Sequence, residues 1–469
     1  MPETLEQRLT AHLSNTRFED LPPEAVDAGK KCILDMLGVV CAGSGADGIA
    51  TLMQMLQAYD ARPEATVLVH GTRLSAPHAT WVNGAMARAR EIDDSHDPTG
   101  DHIGVPIIAA SLGAMELAGH TSGRDLIAAY VLGADLNARL RLATTRLSGE
   151  TGFAANTFAP FSAATVSARL LGLTGQAMYD ALAWAYAQAA GALQLQQSGS
   201  SALHIHHGLA ASTGLQAALL AQQGFPGPDD YLTGKFGFYG AYNGGQYDES
   251  KLTDGLGRRF EITQMSVKLH PGGRVTHPQV EAALVLQAEE SFRAEDVEEV
   301  VVVYGPRGFK MTCQPEAERR LPDSPQHAKF SLYYVVACAL ARGHVDLEDF
   351  TPPGRGRSRR PRHGPQDPRR RQSRTARHPA RQRHRPPQGR PPAAPKDPHH
   401  ERHARPPLQL GRICREIPPL RRLRRQADLQ REGRSRHQVR LEPRISRRRR
   451  RAGIAADLTA ESVVQDWQT

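Results

Sequence analysis

Phe350 is the last aromatic residue before Trp467, and no methionine lies between them either. The same stretch holds 17 of the chain's 33 prolines. Burial of large apolar side chains is what offsets the conformational entropy lost on folding, and a segment of this composition has too little to bury. It is expected to stay disordered. A compact fold must therefore come from residues 1 to about 350, which suffice for two domains with a sizeable core.

Charge divides the chain at the same place. Residues 351–451 carry 32 Arg and one Lys against seven acidic residues, a net charge of about +26; of the overall formal +10, residues 1–350 contribute about −13. The basic balance belongs to the tail alone. Such a tract neutralises phosphates whatever their sequence, so nucleic acid is expected as a partner only non-specifically and only through the tail.

Cys32, Cys41, Cys313, Cys338 and Cys414 are widely spaced and form no CxxC pair, which points to a reducing compartment and away from structural zinc. The opening MPETLEQRLTAHLSN lacks the basic-then-apolar order of a secretion signal. No apolar run of about 18 residues occurs to span a membrane. A cytoplasmic protein is expected.

From residue 1 to about 240 the pattern is helical. PEAVDAGKKCILDMLGVVCAG repeats apolar residues at three- and four-residue steps, starts at proline and closes on glycine. The Ala-rich runs ATVSARLLGL, QAMYDALAWAYAQAAGAL and GLAASTGLQAALLAQQG suit helices packed closely in a large bundle. Further on, PQVEAALVLQAEESF reads as a helix, VEEVVVVYGP as a strand and KFSLYYVVACALARG as a helix, a small α/β unit. The expected class is mainly α: a helical domain over 1–265, a partial α/β domain over 266–351, and an anomalous tail over 352–469.

The stretch EIDDSHDPTGDHIGV (91–105) concentrates acid–base groups. His96 and His102 flank Pro98 and Gly100, which is loop spacing and diagnostic of no metal. Two readings remain. One is a solvated loop whose Asp101 caps a helix beginning near Pro106. The other is an acid–base site, because carboxylates and imidazoles brought together at a helix start have their pKa values tuned toward neutrality.

In SVKLHPGGRVTHPQVEAAL (266–284), Lys268, His270, Arg274 and His277 surround a Pro-Gly-Gly turn before a helix, a way to receive a carboxylate or phosphate. The bland alternative is a basic turn in solvent. In SSALHIHHGLAAS, His204, His206 and His207 precede an Ala-rich helix, and at least one of them is expected to be mere surface. No GxGxxG follows a strand, and no GxxxxGK[ST], GxSxG or HExxH occurs, so nucleotide binding and the common hydrolase signatures have no support.

These segments resemble the MmgE/PrpD family, whose members include 2-methylcitrate dehydratase, cis-aconitate decarboxylase and iminodisuccinate epimerase. The resemblance is carried by FEDLPPEAVDAGKKCILDMLGVVCAGS, by WVNGAMARAREIDDSHD, which is similar to the family's NGA…DDTH signature, and by ARLLGL, GLAASTGLQAALLAQQGFPGP, SVKLHPGGRVTHP and AKFSLYYVVACALARGHVDLEDFT. It runs in register over residues 5–351. It implies a large helical domain with a smaller α/β lid, a homodimer, and a lyase or isomerase of the 2-methylcitrate dehydratase type. Such an enzyme works without cofactor or metal on a small di- or tricarboxylate. Asp93, His102, Lys268 and Tyr334 are implied in catalysis, and Glu91, Ser95, His204, Arg274 and His277 in holding the substrate. The shared chemistry is removal of a proton from carbon beside a carboxylate.

The departures bear on which reaction is run. Ala154, in GFAANTF, stands where many members carry histidine. Ser201 and Ala202 precede Leu203 and His204 where members carry lysine, and Glu91 replaces an aspartate of decarboxylase-like members. The loop before His102 is one residue longer. These losses weigh against 2-methylcitrate dehydration and cis-aconitate decarboxylation more than against an epimerase, which needs only proton removal and return.

Family members continue past the DFT segment, whereas this chain turns to Arg and Pro. Read one base later with GC-rich codons, residues 395–404 and the segment after them can spell family-like sequence. The tail is therefore expected to be a frameshift product, and the chain as written poorly folded or inactive. The rival is an inactive remnant whose basic tail binds anions. Sequencing the gene across codons 345–360 decides: a missing or extra base in the written sequence restores the lid and makes the tail an artefact, and confirmation of the written sequence means that the gene encodes a truncated lid and favours the remnant.

Overall fold

The structure, a computed structural model, describes residues 3–59, 62–146, 148–153, 155–197, 201–350 and 437–441. Among these, eleven helices have nine residues or more. The first nine are α1 (Leu5–Asn15), α2 (Pro23–Gly43), α3 (Ile49–Gln57), α4 (Ala76–Ala89), α5 (Gly104–Ala118), α6 (Gly123–Leu142), α7 (Ala159–Leu170), α8 (Gly175–Ala187) and α9 (Ala202–Gln222). The last two are α10 (His277–Glu290) and α11 (Leu332–Arg342). The mainly helical class expected from the periodicity is what the chain adopts.

Helix ends follow the local chemistry. At the start of α6 the Ser122 hydroxyl accepts from the Asp125 amide at 3.2 Å while the Asp125 carboxylate accepts from the Ser122 amide at 2.9 Å, a reciprocal cap. Strands are few and short. β1 (Ala65–Thr66) pairs with β2 (Arg73–Leu74), and β3 (Ser95–His96) pairs with β4 (Met265–Ser266), both antiparallel. β5 (Val297–Val302) runs parallel to β6 (His437–Leu441).

Helix α9 lies at the centre and packs on α4, α5, α7 and α8. The Ala-rich sequence explains how it fits so many neighbours. At its crossing with α4, a Cβ on Gly208 would stand 2.1 Å from the Trp81 carbonyl oxygen, and one on Gly84 would stand 2.8 Å from the Gly208 Cα. The two backbones touch, and no side chain fits between them. This crossing brings the first turns of α9 against the last turns of α4, where the polar cluster begins.

Two separate apolar clusters form. The larger runs from Leu5 to Ile262. The smaller, from Val280 to Phe350, is built by α10, β5 and α11, the helix, strand and helix read from the sequence. The tail's expected disorder or frame change concerns residues outside those described, apart from strand β6. No described helix is long and apolar enough to cross a membrane.

Candidate active site

Helix α4 ends at Ala89, and Glu91 takes a left-handed backbone at φ 57°. A residue with a Cβ pays about 1 to 2 kcal/mol for that conformation. The turn it makes folds the chain back so that Glu91 and Asp93 both face Arg88 of the last helical turn. The Arg88 Nη1 lies 2.5 Å from Glu91 Oε2 and 3.2 Å from Asp93 Oδ1. Lys268 reaches in from beyond β4, with Nζ 3.7 Å from Glu91 Oε2, 3.8 Å from Asp93 Oδ1 and donating to the Glu91 carbonyl at 3.2 Å. All four side chains are buried.

Burial pushes both carboxyls up, but the cations outweigh it. Arg88, Lys268 and His102 hold Asp93 well below the usual carboxylate range, and Arg88 and Lys268 bring Glu91 down to about 2. Two buried carboxylates thus stay ionised because two buried cations share them.

His102 completes the cluster. Its Nδ1 lies 2.8 Å from Asp93 Oδ2 and 3.1 Å from the Asp94 carbonyl oxygen. Both neighbours are acceptors, so the ring proton belongs on Nδ1 and the Nε2 lone pair is free. The ring is also the exposed end of the pair: the His102 side chain is 21% accessible and the Asp93 side chain 0%.

Two expectations for this loop need correction. Its first part is buried rather than solvated, with Asp93, Asp94, Ser95 and His96 all inaccessible, and only the turn at Asp97, Pro98 and Gly100 is exposed. Nor does Asp101 cap the following helix. That helix starts at Gly104, whose amide donates to Asp94 Oδ1 at 2.9 Å, while Asp101 faces Arg141 Nε at 3.6 Å. The Asp94 carboxyl presses so closely on Gly104 that a Cβ there would stand 2.2 Å from Oδ2. Burial pushes Asp94 up to about 8, helped by Asp93 and Asp35 and opposed by the Gly104 amide.

The remaining candidates divide. Ser95 is buried in β3 with an unpartnered hydroxyl. His277 opens α10 and its ring stacks on His270 with centroids 3.7 Å apart. The two were read as cations, yet burial brings His277 down to about 2, helped by His270, Lys268 and Arg274, and His270 down to about 4. They are neutral. Arg274 turns to Asp97 at 3.6 Å, at the edge of the site. His204 Nε2 pairs with the Asp47 carbonyl at 2.9 Å, and Lys329, Arg88 and Glu91 act on it electrostatically. Tyr334 stays outside the cluster: its hydroxyl donates to the Asp349 carbonyl at 2.5 Å, among the residues of the smaller core.

Sequence reasoning passed over three participants: Arg88, Asp94 and Lys329. His207 is buried one turn along α9, within the influence of Arg88, His102 and Asp93. Among the described residues, no three His, Cys, Asp or Glu side chains are grouped to hold a metal.

The neutral imidazoles carry a pH consequence. Burial lowers His207, His270 and His277 from 6.5 to about 3, 4 and 2. As pH falls through 6.5 the unfolded chain takes up protons there that the native state does not. Their contribution to stability is complete above pH 6.5 and drains away below it, at up to about 4 kcal/mol per pH unit for three groups. Asp94 and Asp35, held up to about 8 and about 6, oppose this over the same interval, so the rings are read by difference. The change in urea stability from pH 7 to pH 5.5 is expected to be more favourable by about 1 kcal/mol in a folded His277→Gln chain than in the native chain, and equal changes in the two would contradict a buried neutral ring.

Two family descriptions match the chain in order: the MmgE/PrpD N-terminal domain over residues 7–250 and the MmgE/PrpD C-terminal domain over residues 270–361. A cis-aconitate decarboxylase-like protein of Aspergillus oryzae is 27% identical over 372 residues, 74% of this chain and 77% of that protein. The cis-aconitate decarboxylase of Aspergillus terreus is 29% identical over 288 residues, so the match spans 58% of each chain. The enzyme of that name from Mus musculus is 25% identical over 365 residues, 75% of this chain and 72% of the relative. The two domains matched in sequence order, together with these relatives, establish that the chain belongs to the MmgE/PrpD family.

Proposed function

We propose that this protein is a lyase or isomerase that removes a proton from carbon beside a carboxylate of a small di- or tricarboxylate. The observation that carries this reading is the 2.8 Å contact of His102 Nδ1 with Asp93 Oδ2. It commits the ring proton to the buried side and leaves Nε2 as a base at the accessible end. Asp93 holds the ring in that tautomer and stabilises the imidazolium once Nε2 has taken the proton.

In the proposed step the C–H proton passes to Nε2, and the electron pair left on carbon spreads into the adjacent carboxylate. We assign the Lys268 ammonium to stabilising that developing negative charge. The pair then either expels a leaving group, giving a lyase, or recaptures a proton, giving an isomerase. The relatives' names favour the lyase class, but as decarboxylases: there the C–C bond to a carboxylate breaks, CO2 leaves without the bonding pair, and the carbon that keeps the pair takes up a proton. We assign Glu91, Ser95, His204, Arg274 and His277 to the walls that receive the substrate, and the segment from residue 266 to 351 to a lid over it. Tyr334 is assigned no contact with substrate in the form described. A homodimer is proposed from the family resemblance alone.

The test is proton NMR in deuterated water with cis-aconitate, 2-methylcitrate and iminodisuccinate. Exchange with only a stereoisomer of the substrate formed identifies an isomerase, and exchange with loss of water or carbon dioxide identifies a lyase. A folded chain that does neither with any of the three would leave the inactive-remnant reading.

A further inference from the structure

The short helix Pro325–Lys329 ends on a lysine that is 5% exposed. Lysine is almost never that buried without a partner, because removing an ammonium from water costs several kcal/mol. Lys329 has little to offset this. Its Nζ donates to the Ala89 carbonyl at 3.1 Å, and among the described residues it forms no ion pair with a carboxylate. Two of its three donors are unspent.

The charges that act on Lys329 are few. Arg88 and Arg90 come from the end of α4, Glu91 from the loop after it and Lys268 from the segment after β4, while His204 of α9 feels Lys329 in return. Only Glu91 is negative, and it is already taken: Oε2 meets Arg88 at 2.5 Å and Lys268 at 3.7 Å, and Oε1 accepts from Gln326 at 3.2 Å. Counting Asp93, which also meets Arg88 and Lys268, two engaged carboxylates thus serve three buried cations, Arg88, Lys268 and Lys329. Among the described residues the ammonium lacks an anion of its own, at the end of α4 where Arg88 and Glu91 also lie.

We propose that Lys329 is a further substrate-binding residue whose ammonium receives one carboxylate group of the substrate. This inference rests on the reading above for the identity of the ligand, not for the presence of an unpaired cation. Burial, with Arg90, Arg88 and Lys268 adding to it and Glu91 opposing it, brings the ammonium down to about 8. An anion alongside raises it again, so binding draws a proton onto Lys329 at pH above 8 and weakens as pH rises.

The test uses tricarballylate, a tricarboxylate without a leaving group, titrated calorimetrically into the full chain at pH 7.5 and pH 9.5. The native dissociation constant is expected to rise roughly 5- to 10-fold between these values, toward that of a chain without the charge. Lys329→Met is expected to bind about 10-fold more weakly at pH 7.5 and to change less than the native chain by pH 9.5, where Asp94, held up to about 8, also ionises, and Lys329→Arg to bind the tightest at pH 9.5 because its guanidinium keeps its charge. Failure of the native chain to bind overturns the proposal. So does a folded Lys329→Met that binds as the native chain does. Because binding is read without turnover, a native chain that binds as expected but catalyses no exchange would sink the proposed reaction and leave this inference standing.

Discussion

Asp93→Asn is expected to lower the rate of proton exchange at the substrate carbon by about 10³-fold or more. The carboxamide is nearly the same shape, so the packing of a fully buried residue is kept. What changes is the tautomer. With the amide oxygen held by Arg88, the NH₂ turns to His102 Nδ1 and competes with the Asp94 carbonyl for it, which favours the ring proton on Nε2, where it blocks the base, and the imidazolium loses its counter-charge. The loss is expected in kcat, with tricarballylate affinity changed only a few-fold, because Asp93 orients the base and does not touch the ligand in the proposed step. An Asp93→Asn chain within tenfold of the native rate would show that the contact at 2.8 Å has no part in the chemistry.

Arg88→Met should have the largest effect on stability, about 3 to 5 kcal/mol at pH 7.5. Methionine fills much of the same space but leaves Glu91 and Asp93 buried with Lys268 as their chief remaining cation. The pH dependence carries the diagnosis. In the native chain the two lowered carboxyls contribute stability that is present above about pH 4.5 and is lost only as pH falls toward their folded values. Without Arg88, burial prevails and their pKa values rise, so the variant regains ground as it takes up protons. The difference from the native chain is expected to narrow from pH 7.5 to pH 5.5, as measured by urea unfolding at both. A cost under 1 kcal/mol at pH 7.5 would mean the cluster is solvated and not the dry ion network described.

The long elements were legible because their signal repeats. Helices α2 and α9 announce themselves by apolar and small-residue periodicity, and the order α10, β5, α11 by a switch of period with glycine or Gly-Pro at the ends. The two-residue strands β3 and β4 have no period to detect, yet they fasten the acid–base loop to the segment that carries Lys268. Asp101 was the natural cap to expect because it stands three residues before Gly104. The chain instead turns between His96 and Gly100, whose amide donates to the His96 carbonyl at 2.7 Å, and this brings in Asp94 from ten residues away.

The site was half legible for a related reason. Asp93, His102 and Lys268 were found through clustering of polar residues and a family-like motif. Arg88 stands beside Arg90 in an Ala/Arg run and Lys329 stands at the edge of an apolar stretch, and such basic residues in sequence read as surface. Only the fold shows that both are buried. His270 and His277 were read as cations from residue type, but their charge state is set by burial and by each other's ring. Tyr334 was placed by resemblance, and here its hydroxyl is spent on the Asp349 carbonyl.

The central claim is that His102 takes a proton from carbon next to a carboxylate. The measurement that meets it most directly is deuterium incorporation into cis-aconitate, 2-methylcitrate and iminodisuccinate by the native chain and by His102→Gln, both shown to be folded by near-ultraviolet circular dichroism. The account predicts incorporation into at least one compound by the native chain and a rate lower by about 10³-fold or more in the variant. Equal rates in the two chains would contradict it.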